Sequence, residues 1–258
     1  NADNILEENF ILNLEQILKK NKEIKVLSTL NTVANNKSFF GSYVDLQNKY
    51  RLRTDDHIFR LINSKFISFT EGFVVKKNLY LESGGIPVIR GDDFKAGEDF
   101  ILADMIREIQ PNGNFSSNLQ IKHFIPEKLK DFYYNRFIRG YGTTQVNFYY
   151  YNTEIINLFF KTLLKNILKL IYIISIFFPL ISLKQKLIYD TNRISLFKLF
   201  LIYCIEQVAI IHGELKSLFK IIILKLSNKT SNPEYLTNQK KFRLYVSSSA
   251  KNKFSALK

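Results

Sequence analysis

The chain has 258 residues, of which 46% are hydrophobic, so it is long and apolar enough to form a globular core. Its single cysteine, Cys204, excludes an intrachain disulfide and a zinc site built from cysteines. The formal net charge of +14 is unevenly placed, at +2 for residues 1 to 150 and +12 for residues 151 to 258. We therefore expect the two parts of the chain to meet different partners.

The first part of the chain predicts helices and strands in alternation. Apolar residues recur at helical spacing over residues 5 to 20, and residues 24 to 30 are typical of a short strand. Residues 31 to 64 are polar and irregular, with a short helix expected just before their end. Residues 66 to 80 predict a strand broken at Gly72, and the turn Ser83-Gly84-Gly85 follows it.

An acidic pair opens the next predicted helix. Gly97 precedes a helical pattern that ends at Pro111-Asn112-Gly113, which puts Glu98 and Asp99 in the first turn. The positive end of the helix dipole favours carboxylates there, so these residues also fit a plain capping role. Residues 119 to 124 then predict a short strand that carries His123.

The order of these features resembles the C-terminal half of the family 2 glycosyltransferases, which have the GT-A fold. Asn1-Ala2-Asp3 is similar to the family's D-x-D motif, which implies that Asp3 binds a divalent cation, Mn²⁺ or Mg²⁺, together with the diphosphate of a nucleotide-sugar donor. Gly97-Glu98-Asp99 is similar to the family's acidic pair, which implies that Asp99 is the general base. His123 matches a histidine that some members use as a further metal ligand; a structural histidine bonded to a backbone carbonyl is the alternative.

The resemblance covers residues 1 to 145 and implies an inverting, metal-dependent transfer of a sugar to a glycan or lipid-linked acceptor. Many members have Gly-Gly-Asn before the acceptor segment, and this chain has Glu71-Gly72-Phe73 at that position. The resemblance therefore implies that Glu71 and Gly72 contact the substrate. The family's nucleotide-binding half precedes the D-x-D motif, so we expect it upstream of Asn1 and expect this chain alone to be inactive. Two separated acidic sites suit the chemistry, because one carboxylate takes the acceptor proton while a cation neutralises the departing diphosphate.

Two arginines follow the predicted strand. Arg136 and Arg139 are three residues apart, which on a helix places them on one face. That arrangement predicts contact with a phosphate or with an anionic group of the acceptor, and solvated surface arginines are the alternative.

The last part of the chain contains long apolar stretches, at residues 155 to 183 and 194 to 226. Polar residues recur every four positions in the first of them, at Asn157, Lys161, Lys165 and Lys169, and form one stripe on a helix. This pattern is typical of a helix at a membrane interface, with its lysines at anionic lipid headgroups. The longest uncharged run, residues 170 to 183, extends only about 21 Å as a helix, which favours partial insertion over spanning. A soluble helical hairpin is the alternative.

The sequence thus predicts an α/β chain in three parts. These are a partial GT-A catalytic domain over residues 1–150, membrane-associating helices over residues 151–226 and a basic polar tail over residues 227–258. We expect a peripheral or monotopic protein on the cytoplasmic face of the cell membrane. The competing hypothesis is a basic membrane-surface or nucleic-acid-binding protein without catalysis. Nucleic acid is disfavoured, because the basic residues lie within Ile and Leu runs rather than in a polar groove with stacking aromatics.

Overall fold

The structure is a computed structural model that describes residues 4–52, 60–62, 72–85, 96–187 and 194–226. Within these ranges the chain is mixed α/β, which confirms the predicted class. The elements, in chain order, are β1 (Asn4–Leu6), α1 (Phe10–Lys20), β2 (Val26–Val33), α2 (Phe39–Leu52), β3 (Arg60–Ile62), β4 (Phe73–Val75), α3 (Lys77–Glu82), α4 (Glu98–Ile109), β5 (Gly113–His123), α5 (Leu129–Gln145), a π-helical turn (Val146–Tyr150), α6 (Ile155–Ile174), α7 (Phe177–Lys186) and α8 (Leu196–Leu226).

The strands form one mixed sheet around β5. Strand β2 lies parallel to β5 on one side, and β4 continues the sheet antiparallel to β2. On the other side of β5, β3 pairs with its beginning and β1 with its end, both antiparallel. The register sets Asn4 of β1 and Val33 of β2 opposite His123, so the end of β5 lies between two neighbouring strands.

Apolar side chains on α1 cover this sheet. The helix is amphipathic and turns Phe10 and Ile17 inward, while Leu12 on the opposite face is exposed. Fully burying such a side chain stabilises the fold by roughly 1.5–3 kcal/mol. The buried cluster consists of Phe10, Ile17, Ile24, Leu27, Leu119 and Ile121.

The chain divides into two compact units. One consists of Asn1–Ser83, Leu102–Glu127 and Lys186–Ile194, and the other of Gly84–Ile101, Lys128–Gln185 and Ser195–Lys258. The boundary that the sequence predicted near residue 150 falls inside the second unit, because α5 and α6 both belong to it. The predicted tail, residues 227–258, lies outside the described residues.

In the second unit, α5 and α8 cross at glycines. A Cβ on Gly140 would lie 2.9 Å from the carbonyl carbon of Ile210, and one on Gly213 would lie 2.8 Å from the backbone nitrogen of Tyr141. Real side chains do not come so close to backbone atoms, so both positions need glycine. The two helices therefore pack backbone against backbone.

Three stretches differ from the sequence prediction. The helix expected over residues 5 to 20 starts only at Phe10, because residues 4–6 form β1 on the edge of β5. The region judged irregular contains the 14-residue helix α2, and β3 stands where a short helix was expected. The inward residues of α2, Phe40, Tyr43 and Leu46, keep helical spacing, but polar neighbours mask the pattern.

The other differences lie near β4 and β5. Residues 77–82 form helix α3 in place of a strand, while Phe73–Val75 is a strand as expected. Strand β5 carries His123 as predicted, but it begins at Gly113 rather than Leu119. Its first half buries Ser116, and buried polar residues do not produce the apolar signal by which strands are found.

Candidate active site

The acidic pair lies in the first turn of α4, as the sequence predicted. Gly97, with φ of 109°, adopts a backbone conformation that suits glycine, and its carbonyl accepts the amide of Ile101 at 3.1 Å. The helix therefore begins at Glu98. The backbone amide of Phe100 donates to Oδ1 of Asp99 at 2.8 Å, which satisfies one of the donors that a helix start leaves open.

The surroundings of Asp99 raise the pKa of its carboxyl above the ordinary value of 3.8. Burial is the largest cause, since it disfavours the charged form. The Phe100 amide opposes it, the neighbouring charge of Glu98 adds to it, and the positive charge of Arg139 opposes it again. Asp99 consequently holds a proton more tightly than an ordinary aspartate.

Helix α5 brings Arg139 to this carboxyl. One turn beyond the arginine, Gly142 packs against the backbone just before α4, where an added Cβ would lie 2.7 Å from the carbonyl carbon of Ala96. The Arg139 side chain is exposed, and its backbone carbonyl accepts the Thr143 hydroxyl at 2.8 Å. The structure therefore brings together Asp99 and Arg139, two of the residues that the sequence singled out.

Arg136 lies elsewhere. It is only 4% exposed, and its Nε is 3.0 Å from Oε1 of Glu206 on α8, an ion pair without hydrogen-bond geometry. Its guanidinium also lies over the Phe132 ring, 4.8 Å from the centroid. Burial, the ion pair and the ring contact explain Arg136 structurally, and its contact with a substrate stays a prediction. Although three residues apart on α5, Arg136 faces inward and Arg139 outward.

One of the two predicted metal ligands, His123, is the last residue of β5. Asp3 is outside the described residues, but the next residue, Asn4, is the register partner of His123. His123 is partly buried, and its carbonyl accepts the amide of Ala34 at 2.9 Å. In the described part of the chain no three carboxylate, imidazole or thiol groups gather as a metal site. One carboxylate and one imidazole are nevertheless a donor set that Mn²⁺ accepts.

The predicted acceptor segment is described only in part. Glu71 lies outside the described residues, whereas Gly72 has φ of 78° and packs against the Thr29 side chain. The carbonyl of Gly72 accepts the Thr29 amide at 3.0 Å. These contacts with β2 explain the glycine structurally, and its contact with a substrate stays a prediction.

A buried ionic cluster between α6 and α8 was not expected from the sequence. Glu214 is 2% exposed, and its carboxylate accepts Lys165 Nζ at 2.6 Å and Lys169 Nζ at 3.1 Å. Both ammonium groups therefore reach toward α8, while the Lys165 side chain stays 48% exposed, and contact of these lysines with lipid headgroups stays a prediction. The sequence signal was present, since Glu214 is an acidic residue in a long apolar stretch, where a charge needs a partner.

A pocket of about 360 Å³ opens in the first unit, between α1 and β4. It is apolar with lysines at its rim and contains none of the residues that the sequence singled out. Its lining consists of Leu18, Asn21, Lys22, Ile24, Lys25, Leu27, Val74, Val75 and Lys76.

The sequence was also compared with known proteins. No protein-family model matches it, and a search among curated proteins finds no significant match.

Proposed function

We propose that this chain forms the acceptor-side part of a GT-A glycosyltransferase of family 2. It would move a sugar from a nucleotide-sugar donor to a hydroxyl of a glycan or lipid-linked acceptor. The observation that supports this most is the Asp99 carboxyl, which lies at the start of a helix, is partly buried and has a raised pKa. A carboxylate with increased proton affinity is suited to act as a general base.

In the proposed step, Asp99 accepts the proton of the acceptor hydroxyl. The acceptor oxygen forms a bond to the anomeric carbon of the sugar, and the bond from that carbon to the diphosphate oxygen breaks. The electron pair of the broken bond leaves with the nucleoside diphosphate. Glu98, which is exposed beside Asp99, raises the pKa of the base through its negative charge, and the positive charge of Arg139 opposes this rise.

Asp3 and His123 would hold the divalent cation. The pairing of Asn4 with His123 supports this assignment, because it sets the residue after Asp3 opposite the histidine. A bound Mn²⁺ or Mg²⁺ would offset the negative charge that develops on the departing diphosphate. Asp3 and His123 would supply an oxygen and a nitrogen ligand, and a nitrogen ligand favours Mn²⁺ over Mg²⁺.

The test is turnover of a panel of nucleotide-sugars by the full-length protein with Mn²⁺ and a mixture of glycan and lipid-linked acceptors. Asp99→Asn is expected to lower the release of nucleoside diphosphate by about 100-fold or more, the usual contribution of a general base, while donor binding persists. Glu108→Gln, which changes an exposed acid near the other end of α4, is the matched control and should leave turnover unchanged. Wild-type turnover in Asp99→Asn would remove Asp99 from the mechanism. A wild-type protein that binds no nucleotide-sugar of the panel would end the proposal itself.

The metal assignment has its own measurement, which is Mn²⁺ affinity by titration calorimetry in the presence of the donor. His123→Ala should weaken Mn²⁺ binding by about tenfold or more, as expected for loss of a ligand side chain. Lys122→Ala is the control, because Lys122 is the adjacent residue on β5 and its side chain is half exposed and pairs with Glu7. Equal Mn²⁺ affinities for the two variants would exclude His123 as a ligand.

A further inference from the structure

Helix α6 exposes apolar side chains along its whole length. Its large outward residues follow one another at steps of three or four, so they form a continuous stripe on a 20-residue helix that is about 30 Å long. We call this the outer stripe; it consists of Ile156, Phe160, Leu164, Leu168, Ile171 and Ile174.

The side of α6 that faces the protein is partly polar. Of its three buried residues, Leu158 is apolar, but Thr162 and Asn166 are polar. The buried Glu214 pairs with Lys165 and Lys169, which lie three residues after Thr162 and Asn166 respectively. Thr162 and Asn166 thus face the protein while the large apolar groups of the outer stripe face outward, which is not the arrangement of an amphipathic helix in water.

This arrangement is unfavourable in water. Each exposed side chain of the outer stripe forgoes the stabilisation that burial of an apolar side chain brings. Contiguous apolar patches of this kind mark contact with another apolar body. Contact with an apolar environment removes the cost of exposing these side chains to water. The polar groups that face the protein stay out of that environment.

Helix α8 has the same character. It has 31 residues and a mean hydropathy of 1.5 in its most apolar window, so by length and composition it is able to cross a membrane. Only 28% of that window is buried, whereas the core helix of a soluble protein is mostly buried. Its exposed apolar residues include Phe197, Leu201, Val208, Phe219, Ile223 and Leu226.

Two bodies are compared as the cover of the outer stripe, a lipid bilayer and a second copy of the chain. The charge of the second unit favours the bilayer. Residues 151–258 carry a net charge of +12, and Lys161, Lys184 and Lys225 of the second unit are exposed. Two copies would bring these like charges together, whereas a membrane with anionic lipids attracts them. The lysines flank the apolar surface, where their long side chains reach a headgroup layer.

We propose that the outer stripe of α6 contacts the acyl chains of a lipid bilayer. The lysines at 165 and 169 take no part in lipid contact, since they neutralise Glu214 inside the protein. This differs from a helix that lies on the surface with its lysines at the headgroups. The inference is independent of the proposed transfer reaction, because it rests on α6 and α8 alone.

The chain contains no tryptophan, so one introduced tryptophan reports its own surroundings. Leu164→Trp places the probe on the outer stripe, and Leu12→Trp on α1 is the matched control, since both leucines are 60% exposed. Each variant of this 258-residue chain is mixed with neutral phosphatidylcholine vesicles whose acyl chains carry bromine, a contact quencher. Circular dichroism checks that the helix content is unchanged, and flotation measures vesicle binding.

The fluorescence of Leu164→Trp should shift to shorter wavelength and fall by about twofold or more with brominated vesicles, because apolar faces at membranes enter the acyl region. Leu12→Trp should show neither change. Equal quenching of both probes, or no flotation, would overturn the proposal. So would salt-sensitive flotation with anionic vesicles that leaves Leu164→Trp unquenched, which would indicate headgroup contact through lysines. A blue shift without vesicles that grows with protein concentration would assign the stripe to a second copy instead.

Discussion

Gly142 of α5 and Ala96, two residues before α4, lie in backbone contact. A Cβ on Gly142 would be 2.7 Å from the carbonyl carbon of Ala96 and 2.8 Å from its Cβ. One turn earlier on α5, Arg139 influences the Asp99 carboxyl in the first turn of α4. The contact at Gly142 therefore sets how close the two charged side chains come.

The first prediction concerns this contact. Gly142→Ala should lower the free energy of unfolding by about 1–3 kcal/mol, because the added methyl group meets backbone atoms. The gain of about 1 kcal/mol from alanine in a helix offsets only part of the loss. Turnover should fall by about tenfold or more, since small displacements of a catalytic group are costly.

Urea denaturation and turnover measure both effects of Gly142→Ala. Thr143→Ala is the control, because Thr143 is the next residue on α5 and its side chain is exposed. A Gly142→Ala variant as stable and as active as Thr143→Ala would show that the close approach is unimportant.

The second prediction is a pH dependence of stability at Asp99. The pKa of this carboxyl is higher in the folded protein than in the unfolded chain, so the folded state binds more protons between the ordinary value of 3.8 and the raised one. The stability contributed by this group is therefore fully present below the unfolded pKa and is lost as the pH rises through the folded pKa. Asparagine does not titrate and escapes this loss.

Asp99→Asn should accordingly be more stable than the wild type at pH 7, and the difference should shrink as the pH falls toward 3.8. Denaturation midpoints from pH 3.5 to 7.5, in steps of roughly half a unit, measure this trend. Glu108→Gln, in the same helix, serves as the control. A difference that stays constant over the range, or a variant less stable than the wild type at pH 7, would contradict the raised pKa.

The third prediction separates structure from substrate binding at Arg136. Arg136→Met removes the cation 3.0 Å from the partly buried Glu206 carboxylate and should cost about 2–4 kcal/mol of stability. The double variant Arg136→Met with Glu206→Leu should recover part of that loss, because no unpaired charge remains. Donor affinity, measured on folded protein, should be unchanged.

Arg139→Met is the matched comparison for Arg136→Met. Arg139 is exposed, so its replacement should change stability by no more than about 0.5 kcal/mol. If Arg136→Met keeps wild-type stability and instead weakens donor binding, the arginine is a substrate ligand after all and the structural assignment is wrong.

The fourth prediction concerns the cluster around Glu214. Glu214→Gln leaves two lysine ammonium groups beside each other without a carboxylate and should lower the stability by about 2–4 kcal/mol. Glu154→Gln, an exposed acid just before α6, should change it by no more than about 0.5 kcal/mol. Thermal unfolding of vesicle-bound protein, followed by circular dichroism, compares the two. Similar melting temperatures would mean that the lysines turn outward and that the cluster is not formed.

Local signals were sufficient for the part of the site that lies on one helix. Helix α4 was predicted from Gly97, from the apolar residues at helical spacing after it and from Pro111. This prediction also placed Glu98 and Asp99 in the first turn. The strand that carries His123 was found for the same reason, since its second half alternates clearly. Each of these features depends on residues close together in the sequence.

The direction of long polar side chains was decided by the tertiary structure. Helical spacing placed Lys165 and Lys169 on one face of α6, but only the position of Glu214 on α8 determined that both ammonium groups pair with a buried carboxylate. Spacing likewise paired Arg136 with Arg139, yet Glu206 turned the first of them inward. Periodicity reports which residues share a face, whereas the partner that covers the face comes from a distant part of the chain. The sequence alone determined α4 and the acidic pair at its start, and the packing of α5, α6 and α8 decided which charges meet each other and which surface remains apolar.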